Sequence, residues 1–365
     1  MTQSEGHGEG QSDGQARDAA SSGQMIDWTF AARVGSRTAP APPVVDAAEA
    51  AAVVAELRAG AARSTDLVRG FTGLEALDDR APVLVVDRDG WITANTESFA
   101  TLMDPVVAKL TDRRGAPRPG SLTHAVGSRV TGAEVGAVLG FLSSKVLGQF
   151  DPFHGPAGRL LLVAPNVVHI ERELEVDPTD FRLWVCLHEE THRVQFTAVP
   201  WMRDHLRSLI GEVTGTVDPQ LVVGDVVKRA AEVARGQGGG SLVEVLSSPE
   251  QRELLERVTA VMSLLEGHAD VVMDGVGPSV IPTVAEIRRK FTQRRGGAGS
   301  LDRLVRRLLG LEAKMAQYRD GAIFVREVVE TVGMEGFNAV WEGPEHLPTK
   351  AEIHDPAAWV ARVHA

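Results

Sequence analysis

The five residues HEETH, 188–192, constrain this chain more than any other stretch. They sit inside FRLWVCLHEETHRVQFTAVPWM, where Leu183, Trp184, Val185 and Leu187 precede the motif. Those apolar neighbours predict a buried helix, so the charged residues it carries need partners. On a helix, residues four apart lie on one face, so His188 and His192 can turn two imidazoles toward one ion. Glu189 lies about 100° further around, beside the ion rather than on it. From there its carboxylate can take a proton from a water that zinc has acidified.

Two histidines leave zinc short of a third protein ligand, since a catalytic site supplies three and keeps one position for water. The extended motif of metzincins is excluded, because Gln195 and Ala198 stand where it needs glycine and histidine. A glutamate from another helix is the other solution. In SLLEGHADVVMDGVG, Glu266 interrupts an apolar helical pattern, and a lone carboxylate there would be costly. Asp270 is one turn on and could accept the free N–H of a ligand histidine. This Glu-x-x-x-Asp pairing resembles that of gluzincins, the thermolysin-like metallopeptidases. His268 is the rival third ligand, about 200° around the helix from Glu266.

An oxyanion also needs stabilising. Tyr318, the single tyrosine, is the candidate, with Lys314 one turn earlier; the competing reading is a core tyrosine with a satisfied hydroxyl. Cys186 points away from the metal face and reads as an inert buried thiol. Glu190 and Arg193 read as solvated or structural.

The remaining chain sets the frame. Residues 1–25 are too polar to form a core and are expected to be disordered. From Asp46 two short helices are expected, broken near Gly60. VLVV followed by Asp87 reads as a strand and then a helix, and 131–150 as a helix capped by Thr131. RLLLVA is a buried strand that could offer an edge to an extended peptide. Helices follow over 181–198, 201–212, 219–235, 249–274, 283–292, 300–320 and 321–332, with a short piece near Trp359. The expected fold class is α+β, predominantly helical, with a small sheet preceding the HEETH helix. The domain expectation is one body over 26–365: a helical part 45–150, a catalytic core 158–320 and C-terminal helices 321–365.

Composition narrows function by exclusion. A formal net charge of -11 argues against a general nucleic-acid binder. The segment 288–310 carries eight basic residues against Asp302, yet has one aromatic residue, Phe291, so a solvated face is favoured. A lone cysteine requires no oxidising compartment, the N-terminus has no apolar signal core, and no run is long enough to span a membrane. A cytoplasmic protein acting on a peptide or protein substrate is expected.

Several segments together carry a family likeness: KVLGQFDPF, LLLVAPNV, LHEETHRVQF, LLEGHADVVMD, RRLLGLEAKMAQYRDGAIFVREVVE and WEGPEHLPTKAEIHDPAAWV. From about residue 28 to the C-terminus the chain resembles an actinobacterial family of zincin-like hydrolases, often labelled as associated with deazaflavin coenzyme biosynthesis. The resemblance implies a zincin-like metallopeptidase fold, Zn2+ held by His188, His192 and Glu266, and Glu189 as general base. The rivals are a zincin fold used only for binding, with the basic segment as its surface, and a deazaflavin-related role.

Overall fold

The computed structural model describes residues 26–76, 80–111, 121–216, 249–296 and 311–365. The expected disordered tail, the helix 219–235 and residues 297–310 lie outside the described residues. Two compact units emerge. One holds the described part of Met1–Val44 together with Val86–Val146; the other holds Val45–Val85 and Leu147–Ala365. The stretch 45–150, read from sequence as one helical part, is therefore divided between them.

In the first unit, α1 (Trp28–Thr38) starts at Asp27, whose carboxylate accepts the Phe30 amide at 2.8 Å. It packs on α4 (Leu122–Leu142). Gly132, Gly136 and Gly140 recur every fourth residue of α4. A Cβ on Gly136 would stand 2.3 Å from the Ala31 carbonyl oxygen, so the two backbones touch where side chains would otherwise intervene. Thr131 is consequently mid-helix rather than a cap; the helix begins nine residues earlier and ends at Leu142. Helix α3 (Arg88–Thr111) begins as expected after Asp87, which accepts the Gly90 amide at 2.7 Å. The buried Arg88 guanidinium donates to the Pro40 and Ala41 carbonyls, pinning the proline-rich connector.

The second unit carries the functional elements. Helix α2 (Ala47–Thr72) is continuous, not broken at Gly60, which lies directly against Cys186. The sheet comprises β1 (Val83–Val86), β2 (Gly148–Asp151) and β3 (Arg159–Val163), in the order β1-β3-β2, with β2 and β3 antiparallel and Phe150 opposite Leu160. RLLLV is thus the central strand, not an edge. Every residue of it is buried, as a strand covered on both faces and both sides must be, and its unbroken apolar run reflects that. The sheet edge next to the HEETH helix falls to β2, a strand of four buried or half-buried residues that sequence periodicity cannot resolve from the end of a helix.

Three helices follow β3. First is α5 (Ala164–Leu174), which the sequence reading left unassigned; a proline in its first turn marks its start. Next is α6 (Pro178–Ala198), whose Asp177 cap accepts the Asp180 amide at 2.9 Å. Then comes α7 (Met202–Thr216). Phe181, Leu183, Val185 and Leu187 bury α6 in a core with Val53, Leu57 and Val68 of α2. Each such side chain contributes about 1.5–3 kcal/mol relative to exposure. Helix α8 (Pro249–Val276) packs across α6, and α9 (Val284–Gly296) closes that side. Helix α10 (Leu311–Phe337), broken in geometry at Gly333, leads to short 3-10 turns, then α11 (Lys350–Ile353) and α12 (Pro356–Val363) around the fully buried Trp359. Among the described residues no helix is long and apolar enough to cross a membrane.

Candidate metal centre

Helix α6 runs through the interior of the second unit, so both of its polar faces must be satisfied inside the protein. On one face, His188 and His192 meet Glu266 of α8. The Glu266 Oε2 atom lies 3.5 Å from His188 Nε2 and 3.9 Å from His192 Nε2, and the two Nε2 atoms are 3.2 Å apart. Their rings are nearly perpendicular, at 89°. The three ligand atoms all fall within 4.8 Å of one another. Zinc bonds of 2.0–2.1 Å in a tetrahedron put donor atoms about 3.3 Å apart, so the trio fits a single tetrahedral ion.

Hydrogen bonding supports the same reading. His192 Nδ1 sits 2.9 Å from Gln195 Oε1, and His188 Nδ1 sits 3.3 Å from the Met273 sulfur. Both neighbours can accept, so a proton on each Nδ1 would leave each Nε2 lone pair toward Glu266. Two lone pairs and a carboxylate converging on one point suit a cation. The side chains are partly open to solvent, at 28% for His188, 13% for His192 and 21% for Glu266, which leaves an approach for substrate. His192 is held below the usual imidazole range, mainly by burial, as a neutral ligand requires.

Glu189 of α6 lies beside this cluster and against β2. A Cβ on Gly148 would meet Glu189 Cγ at 2.5 Å and Cδ at 2.7 Å, so the glutamate lies flat across the backbone of that strand. Burial pushes its carboxyl up to about 7, with His188 opposing and Glu266 adding to the rise.

The other sequence candidates are placed differently. His268 is fully buried, with Nδ1 2.9 Å from Gln195 Nε2 and its ring stacked on Phe337; it reaches His192 only through Gln195 and is not in the converging trio. The Asp270 carboxylate is taken by Arg288 at 2.8 Å and Arg326 at 2.9 Å, and does not reach a ligand histidine. The sulfur of Met273 holds the place expected for it. Tyr318 lies on α10, with its side chain outside the described residues, as is that of Lys314. Cys186 is buried and its thiol is pushed up by burial, matching the inert reading. Glu190 and Arg193 are structural and buried rather than solvated: Arg193 binds both carboxylate oxygens at 3.0 Å, and Thr65 donates to Glu190 at 2.8 Å.

Gln195 and Gly148 were not singled out from sequence as site residues. Gln195 had a legible signal, a polar side chain three positions after His192 and therefore on its face. Gly148 had none. Within the basic segment, Arg288, Lys290 and Arg294 pair with Asp270, Glu286 and Glu173, so these three cations are matched by the protein's own acids.

The chain aligns, at 31% identity over 93% of its length and 99% of the other chain, with a crystal structure from Chloroflexus aurantiacus described as a "putative hydrolase with a novel fold", with a TM-score of 0.68. Comparison with curated proteins finds no match. Residues 26–360 match the zincin-like metallopeptidase family, and the chain belongs to it.

Proposed function

We propose that the chain is a zinc-dependent peptidase of gluzincin type, and the observation that carries this is the convergence of His188, His192 and Glu266 with Glu189 alongside. Zinc, when bound by those three residues, would polarise both a water and the substrate carbonyl. Glu189 accepts the proton of the attacking water and returns it to the departing amine, a general base and then a general acid on one carboxylate. A carboxyl held near neutrality suits both halves of that exchange. β2, outermost in the sheet and in contact with Glu189 through Gly148, is the strand along which an extended peptide would lie, with its scissile bond next to Glu189. The gluzincin likeness covers the ligand set alone, because the aspartate of that pairing is engaged by arginines here.

The rival of a binding protein working through its basic surface loses force from the ion pairs that neutralise Arg288, Lys290 and Arg294. The deciding experiment is metal analysis of protein purified without added metal, then peptide-library turnover with and without chelator. About one zinc per chain and chelator-sensitive cleavage are expected. Stoichiometric zinc with no cleavage of any peptide would leave a metal-holding zincin and overturn the peptidase reading.

A further inference from the structure

We infer that Gln195 is a positioning residue that fixes which nitrogen of His192 carries the proton and locks helix α6 to the helix that brings Glu266. The inference deepens the proposed function and rests on His192 being a metal ligand.

The argument starts from the amide. A glutamine side chain has one accepting and one donating end, and here its neighbours decide which is which. Gln195 Nε2 is 3.0 Å from the Leu265 carbonyl oxygen, which can only accept, so the amino group must face α8. The same nitrogen is 2.9 Å from His268 Nδ1, which takes the second N–H. The amide oxygen is then left for His192 Nδ1 at 2.9 Å, and that nitrogen must donate. His192 therefore holds its lone pair on Nε2, the atom directed at Glu266 and His188. An isolated neutral imidazole has no such obligation.

His268 completes the device. It is fully buried, stacked on Phe337 with centroids 5.4 Å apart and set edge-on to Trp341 at 5.3 Å. Its Nδ1, 2.9 Å from Gln195 Nε2, accepts that N–H. Leu265 and His268 flank Glu266 on α8. The hydrogen bonds that choose the His192 tautomer thus also set the distance between the imidazole pair and the carboxylate. Partners of this kind typically alter metal affinity by 10–100-fold when removed.

The test uses full-length protein labelled with 15N-histidine, stripped of metal, with the His192 resonances assigned by comparison with His192→Ala. Long-range 1H–15N spectra of the wild type are expected to show His192 protonated at Nδ1. Protonation at Nε2 would overturn the inference, whether or not any variant folds. Gln195→Met, of similar length and without the amide, is expected to release His192 toward the Nε2–H form and, in a chelator competition, to weaken zinc binding about 10–100-fold. An unchanged tautomer or unchanged zinc affinity in folded Gln195→Met protein would also overturn it. A wild type that binds no zinc yet shows the Nδ1–H form sinks the peptidase reading while leaving the tautomer assignment standing.

Discussion

Glu189 and Glu190 are neighbours on one buried helix, and they have opposite fates. Glu190 faces α2, fully enclosed, with an arginine on both oxygens and a threonine hydroxyl besides. Burial raises its carboxyl, and the Arg193 hydrogen bonds act against that rise. Glu189 faces β2 and the imidazoles. No arginine or lysine answers it among the described residues, and its carboxyl is pushed up to about 7. The contrast shows how one helix divides its work. A face whose charges are neutralised by the protein's own side chains holds the structure, while a face whose donors converge without such neutralisation is a candidate site for an ion.

Substitutions on the two faces should therefore separate activity from stability, and four of them probe this in descending size. Glu189→Gln should cut peptide hydrolysis by about 10²–10⁴-fold while zinc content and melting temperature hold, as measured by turnover, metal analysis and calorimetry. Retained turnover would remove Glu189 as the base. Arg193→Met on the opposite face should cost about 3–5 kcal/mol of folding free energy, because it strands Glu190 as a buried charge. In that variant the folded fraction should still bind zinc, and urea titration beside metal analysis checks both; loss of zinc without loss of stability would collapse the distinction between faces. Gly148→Ala should displace Glu189 and lower kcat about 10²-fold with zinc content unchanged, since a shift near 1 Å suffices for that. Thr65→Val should remove one hydrogen bond to the buried carboxylate and cost about 1.5 kcal/mol in denaturant unfolding, with kcat untouched.

How much of this was legible depended on distance along the chain. The HEETH pair was legible because four residues of helix fix its geometry locally, and Asp177, Pro178 and Pro200 bracket that helix with cap and breaker residues. Glu266 was legible through cost, as a carboxylate in an apolar pattern. Its neighbours were not. Asp270 shares a turn with Glu266, and the spacing suggested a partner for a histidine. The structure brings in Arg288 and Arg326 from two other helices, and opposite charges at 2.8–2.9 Å outbid a neutral imidazole N–H. The break expected at Gly60 failed because helix propensity is a weak prior beside the packing of α2 on α6.

By itself, the sequence determined the residues that converge: two imidazoles one turn apart, a glutamate beside them and a distant carboxylate. Each of these follows from periodicity and from the cost of burying charge, which are local properties. Only the tertiary structure decided which strand is an edge, which of Glu189 and Glu190 an arginine neutralises and which glutamine end faces His192. Those outcomes depend on partners brought together from remote parts of the chain, and no local pattern encodes the choice between them.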